Sequence, residues 1–384
     1  MISIIHFLKG KNVFGLFILI VISACSSEPE KTDKPPTGLP VDTNITTEGK
    51  ALFLNLKNVS KQGIMFGHQD DLAYGVHWIA EDGRSDVKEA GGAYPAVFGW
   101  DISKIGQRPY NIDSVDFEKM KGWIIQGYQM GGVITISWHM DNPVTRGDSW
   151  DKTSAVYSII PGGENHDWYK GKLDLFADFL NDLKVGDVLI PVIFRPYHEH
   201  TGDWFWWGRG NCTSQEFIAL WQFTVQYLRD EKNIHQLLYA YSTDRFNSEA
   251  DYLDFYPGDE YVDILAYDDY WSVVNLDGRS ELIRQLKTLV ELANKKGKVA
   301  ALSETGYETI PDEDWWTTIL LPGLTADQTA SEIAYVLVWR NARITHHYAP
   351  FDGHPSAEDF KMFKEDPATI FIDQIPVDLY KLPN

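Results

Sequence analysis
Apolar and polar positions follow two rhythms along this chain, and the rhythms take turns. Short runs of consecutive apolar residues suit strands buried on both faces. They occur at 63–69, 96–101, 132–139, 188–199, 237–243, 262–270, 299–306 and 335–341. Between them the apolar residues recur at helical spacing. The clearest helix follows Thr213-Ser214-Gln215-Glu216, a capping box in which hydroxyl and carboxylate each satisfy a free backbone N–H. Phe217, Leu220, Trp221, Thr224 and Leu228 form its predicted buried stripe. A second helix starts near Ser280, buries Leu282, Ile283, Leu286, Leu289 and Val290, and stops at Gly297, where glycine tolerates the left-handed turn. Strand and helix alternate eight times with no internal repeat. This predicts an α/β fold, a (β/α)8 TIM barrel, with a doubly wound open sheet as the alternative.

The strand ends favour the barrel. His68 and Gln69, Trp100 and Asp101, Trp138 and His139, His198 and Glu199, Thr243 and Asp244, Asp268 to Trp271, Glu304, and Trp339 to Asn341 all close apolar runs with reactive or polar groups. A barrel gathers such ends at one mouth, whereas an open sheet strings them along an edge. Residues 191–207 carry the densest chemistry: Arg195, Tyr197, His198 and Glu199 follow an apolar run, then Gly202 breaks into Trp204, Phe205, Trp206 and Trp207. A buried lone carboxylate costs several kcal/mol, so Glu199 is expected to be ion-paired or functional. Arg195 shares its strand parity and is the structural partner on offer.

Glu199 and Glu304, at the ends of the fourth and seventh strands, are the candidate catalytic carboxylates. Glycoside hydrolysis needs such a pair, one to protonate the leaving oxygen and one to attack or stabilise the anomeric carbon. Fourteen Trp, nineteen Tyr and nineteen Phe supply flat apolar rings that suit sugar faces. Of Trp204 to Trp207, alternation sends about half into packing, and Trp271, Trp315 and Trp316 read as wall or scaffold. Asp101 and His68 read as braces. A metal set of His139, His198, Glu199 and His200 is weighed and set aside, because helical zinc hydrolases space their ligands His-Glu-x-x-His. His346 and His347 read as a polar surface pair. No metal and no cofactor is expected.

Arg195-Pro196-Tyr197-His198-Glu199, Trp204-Phe205-Trp206-Trp207-Gly208, Asp268-Asp269-Tyr270, Ser303-Glu304 and Trp339-Arg340-Asn341 together resemble glycoside hydrolase family 26, a family of β-mannanases. The resemblance runs from about Thr46 to His354. It implies Glu199 as acid/base, Glu304 as nucleophile and Tyr270 as a hydrogen-bond donor to that nucleophile. It further implies sugar contacts from His198 and Trp204, and subsite roles for Trp339 and Arg340. Ser137-Trp138-His139 and Asp141-Asn142-Pro143 are also similar to the family, so His139 is expected to reach the site. Trp150, in a long polar loop, is a further candidate platform. The activity implied is a retaining endo-β-1,4-mannanase. A β-1,3-xylanase or mixed-linkage glucanase on the same scaffold, and a non-catalytic glycan-binding lipoprotein, are the alternatives.

The N-terminus adds a location. Lys9 and Lys11 precede an apolar run over 13–24 that is short for a bilayer span and reads as a signal-peptide core. Ile22-Ser23-Ala24-Cys25 resembles a lipobox, so residues 1–24 are expected to be cleaved and Cys25 lipidated, with a plain membrane anchor as the alternative. Residues 25–45, rich in Ser, Glu, Lys, Pro and Thr, read as a flexible tether to a catalytic domain over 46–384. The expected location is the outer membrane of a Gram-negative envelope. Two cysteines allow no disulfide framework, and Cys212 reads as packing. A net charge of −21 repels nucleic acid and anionic lipid, leaving β-mannan and the lipid anchor as partners of an expected monomer.

Overall fold
The structure is a computed structural model that describes residues 38–383. The expected signal peptide over 1–24, Cys25 and most of the expected tether over 25–45 lie outside the described residues.

Eight parallel strands close into a barrel: β1 (Ile64–Gln69), β2 (Val97–Asp101), β3 (Val133–Trp138), β4 (Val192–Pro196), β5 (Leu237–Thr243), β6 (Ile264–Asp269), β7 (Val299–Thr305) and β8 (Tyr335–Val338). Each pairs with the next, and Met65 opposite Tyr335 closes the ring between β8 and β1. Closure removes every edge, so the open-sheet alternative is excluded. A two-residue strand at Thr369–Ile370 adds to the base of β1.

Alternation along the strands divides the apolar residues into two cores. Met65, Val97, Val133, Ile193, Leu238, Ile264, Val299 and Tyr335 fill the barrel's lower interior, together with Leu52, Phe53, Leu56 and Val59. Those four come from the helix Thr47–Val59, capped by the Thr46 hydroxyl, which seals the floor. The outward residues, among them Phe98, Phe194 and Tyr267, pack under the surrounding helices. The capping box at Thr213 forms as expected and starts the helix Ser214–Gln226. The helix Arg279–Lys296 ends at Gly297 with φ 71°.

The predicted elements shift in two places. The fourth apolar run is not one strand: Val188–Leu189 turns back on Lys184–Val185 as a hairpin, and β4 stops at Pro196, before Glu199. Residues 38–45 are not all tether. Val41 donates its N–H to Asp263 Oδ1 at 2.7 Å, and Asp42 Oδ2 lies 2.8 Å from a ring nitrogen of His235, so the folded unit begins ahead of residue 46. Among the described residues no helix is long and apolar enough to cross a membrane.

Candidate active site
One cleft of about 490 Å³ at the C-terminal mouth of the barrel is lined by His139, Trp150, His198, Glu199, Trp204, Phe205, Tyr270, Glu304 and Trp339. It also takes in Val274, Tyr307, Glu308, His346 and Tyr348. Eight of the sequence candidates therefore meet, although they come from the ends of five strands.

Local backbone irregularities aim the two glutamates. In a regular strand Ser303 and Glu304 would face opposite ways. The register slips here, so that Tyr267 opposes Leu302 and Asp268 opposes Glu304, a bulge that sends both Ser303 and Glu304 inward. Glu199 lies beyond β4 in a tight turn with Tyr197 at φ 50° and Glu199 at φ 54°. Side chains adopt this left-handed region rarely, and a stretch that holds two of them is a site where local strain is retained. The Glu199 N–H donates to the Ser242 carbonyl at 3.0 Å, which fixes the turn to β5.

Beneath them lies a buried charge cluster. Arg195 is 3% exposed and spans Asp268, at 2.8 Å, and Glu304. The alternative, an Arg195–Glu199 ion pair, does not form, because the turn lifts Glu199 off the strand's alternation. Ser242 and Ser303 donate to the other oxygen of Asp268 at 3.1 and 2.7 Å. Burial pushes Asp268 up to about 7 even with Arg195 pulling it down. Tyr270 donates to Glu304 Oε2 at 3.1 Å, so both oxygens of Glu304 accept hydrogen bonds. Glu199 receives one, from Trp204 Nε1 at 2.6 Å. Burial first, then the charges of Asp268, Glu304 and Asp244, raise the Glu199 carboxyl well above its usual range. The two carboxyls are thus differentiated: burial raises the pKa of one, and two donors hold the other as an acceptor.

Ligand atoms of Glu199, Asp268 and Glu304 lie within 4.8 Å of one another, the one acidic or His/Cys group of metal-binding size among the described residues. Its positive charge is already supplied by Arg195, whose donors occupy Asp268 and Glu304. His200 faces elsewhere, its Nε2 2.8 Å from Tyr241 Oη.

The cleft walls are built from braced rings. His139 Nδ1 sits 2.9 Å from Asp101 Oδ2, which also receives Ser137 Oγ and the His139 N–H at 3.0 Å. Burial opposes the His139 charge, but Asp101 outweighs it and raises the ring's pKa. Trp150, 47% exposed, stacks on that ring at 5.4 Å. His198 is held neutral by burial and by the charges of Arg195, His139 and His200. Trp206 and Trp207 are packing, donating to the carbonyls of Met140 and His198 at 2.9 Å. His68 braces Asp71 at 2.8 Å. Cys212 is partly buried, its thiol pushed up to about 12 by burial.

Arg340 pairs with Asp113 at 2.9 Å and contacts Tyr74 Oη at 3.3 Å. Two expectations need correction. Trp315 and Trp316 are buried as expected, but Trp271 is 65% exposed under the Arg245 guanidinium. His346 and His347 are not a surface pair, since His346 lines the cleft and His347 is buried. Sequence reading also missed the bracing role of Asp268, and the cleft positions of Glu308 and Tyr348. Glu308 and Tyr348 lie in loops after different strands, and nothing in their local sequence marks them.

The raised Glu199 carboxyl has a measurable consequence. A native pKa above the unfolded one means stability is greatest below the unfolded value and is lost as pH rises through the native value. Glu199→Gln removes that loss, and its amide oxygen still accepts from Trp204. The variant is expected to melt above the parent at neutral pH, with the gap widening toward alkaline pH and closing near pH 4. A gap that does not change with pH would show that Glu199 ionises normally.

The profile of glycosyl hydrolase family 26 matches residues 41–319. A mannan endo-1,4-β-mannosidase of Bifidobacterium adolescentis is 33% identical over 89% of this chain, which spans only 36% of that relative's length. A family 26 β-mannanase structure from Bacteroides ovatus superposes with a TM-score of 0.84 at 45% identity, over 88% of this chain and 98% of that one. The catalytic domain of a Bacillus family 26 endo-β-1,4-mannanase gives 0.82 at 34% identity, over 91% and 98%.

Proposed function
The chain belongs to glycosyl hydrolase family 26, and from that premise we propose that it is a retaining endo-β-1,4-mannanase acting on β-mannan, glucomannan or galactomannan. The observation that carries this reading is the spacing of Glu199 and Glu304 in one aromatic-walled cleft, with oxygens within 4.8 Å. Retaining enzymes set their carboxyls about 5–5.5 Å apart, whereas inverting ones leave about 6.5–9.5 Å for water.

Glu304 attacks the anomeric carbon as the glycosidic C–O bond breaks, and Glu199 gives its proton to the departing oxygen. Glu199, now a carboxylate, takes a proton from water. The resulting hydroxide equivalent displaces Glu304 from the sugar and restores both groups. Arg195 and Tyr270 hold Glu304 in line through hydrogen bonds to separate oxygens. His139, His198, Trp150, Trp204 and Trp339 contact the sugars around the cleaved bond. Arg340, held by Asp113 beside Trp339, contacts the sugar on the non-reducing side. Glu199 must start protonated, so kcat/KM is expected to fall as pH rises through its raised pKa.

Lys9, Lys11 and the Ile22-Ser23-Ala24-Cys25 motif support cleavage after residue 24 and lipidation of Cys25. This would place a monomeric enzyme on the outer membrane of a Gram-negative envelope.

Reducing-end release by residues 38–384 on β-mannan, glucomannan, galactomannan, β-1,3-xylan and mixed-linkage glucan tests the activity. Cleavage confined to the mannans supports the reading. Cleavage of xylan or glucan alone keeps the chemistry and replaces the substrate, and binding without cleavage makes the protein a glycan receptor.

A further inference from the structure
Glu308 and His346 line the same cleft as the two catalytic candidates, yet the reaction above gives them nothing to do. His346 Nδ1 lies 2.6 Å from Glu308 Oε1, with the imidazole 22% and the carboxylate 51% exposed. We propose that this pair is a hydroxyl-reading subsite, which binds the free vicinal hydroxyls of a sugar ring lying against the loops after β7 and β8. The proposal rests on reading the cleft as a glycan site.

The wall carrying the pair is built with care. Gly306 has φ 134°, and a Cβ there would stand 2.7 Å from Tyr348 Cδ1, so only glycine lets Tyr348 settle against it. Tyr348 then meets Tyr270 edge-on at 5.8 Å and His346 at 5.4 Å. Asn341, fully buried, accepts the N–H groups of Tyr348 and Ala349 at 2.9 and 3.0 Å and donates to the Ala349 carbonyl. The Thr309 N–H donates to the His347 carbonyl at 2.8 Å, tying one loop to the other. The two side chains are therefore presented by anchored backbone on both sides.

Their chemistry is complementary to hydroxyl donors. Burial, with the charges of Arg340 and Arg343, outweighs Glu308 and keeps His346 neutral. In that state Nδ1–H donates to Glu308, and Nε2 is left as an acceptor beside the remaining carboxylate lone pairs. Three other polar groups of the cleft are already committed: Tyr270 to Glu304, Trp204 to Glu199, His139 Nδ1 to Asp101. An acceptor pair binds adjacent sugar hydroxyls and rejects a ring whose hydroxyls are acetylated, because the ester has no hydrogen to give and adds bulk.

The test is calorimetric binding of deacetylated and O-acetylated manno-oligosaccharides to the Glu199→Gln protein, with His346→Ala or Glu308→Ala added. Loss of either partner is expected to weaken deacetylated ligand about five- to tenfold, the worth of one or two hydrogen bonds, and to leave acetylated ligand unchanged. Equal weakening of both ligands, no weakening, or no binding of either by the Glu199→Gln protein would overturn the subsite. Unchanged melting of the added variants separates the effect from a loosened wall. Cleavage by the parent protein is scored separately, so a protein that binds through this pair but cuts nothing refutes the enzyme reading alone.

Discussion

Replacing Glu304 by alanine is expected to lower kcat on mannan by at least about a thousandfold, the scale lost when a nucleophile is removed. Nothing nearby substitutes for it. Asp268, the other acid beside it, has its oxygens taken by Arg195, Ser242 and Ser303. The fold should survive, because Arg195 keeps Asp268 as its counter-ion and Tyr270 can turn toward the opened space. Initial rates of reducing-end release, with circular dichroism melts of both proteins, check the two halves of this statement. Near-parental activity in a folded variant would move the nucleophile elsewhere.

Arg195→Met should damage stability and turnover together. The guanidinium is buried, and its side chain fills the space between β4, β6 and β7, so its removal leaves Asp268 and Glu304 facing each other without a counter-charge. Breaking a buried ion pair from one side costs about 3–5 kcal/mol. The loss should depend on pH. Asp268 already stands at about 7 with Arg195 pulling it down, and without that pull it rises further. A group with a raised native pKa destabilises above that pKa and ceases to as it takes up its proton. The deficit of Arg195→Met is therefore expected to be largest at alkaline pH and to shrink toward pH 5. Arg195→Lys keeps a charge without the two-pronged fork and should fall between the two. Chemical denaturation across pH 5–9 reads this, and a deficit independent of pH would mean the arginine acts through packing alone.

The candidate site was legible in outline because its best-marked residues sit at strand ends. Glu199 and Glu304 stand out as acids at the close of apolar runs, and that contrast is local. Their directions were not legible. Alternation put Arg195 beside Glu199, whereas the turn at Tyr197 and Glu199 breaks the alternation and the bulge at Ser303 and Glu304 shifts it. Arg195 meets partners 73 and 109 residues away, and no pattern within a strand's length encodes that choice. The partner of Arg340 was hidden for the same reason: its position beside Trp339 says nothing about the pull of Asp113, which arrives from the loop after β2.

By itself the sequence determined the eight strands and two of the helices, one by its capping box and one by its terminal glycine. These follow from burial periods and backbone hydrogen bonding over a few residues, and every barrel strand lies where an apolar run predicted it. It also marked two acids and their aromatic surroundings as the place where chemistry would occur. The tertiary structure alone decided which groups share a charge and which rings face the cleft. It decided too that Glu308 and His346, 38 residues apart, stand side by side within it. Strand formation is settled by near neighbours. The partners of a side chain at the barrel mouth depend on closure of the ring and on irregular backbone at strand ends, where the period that makes a strand readable no longer applies.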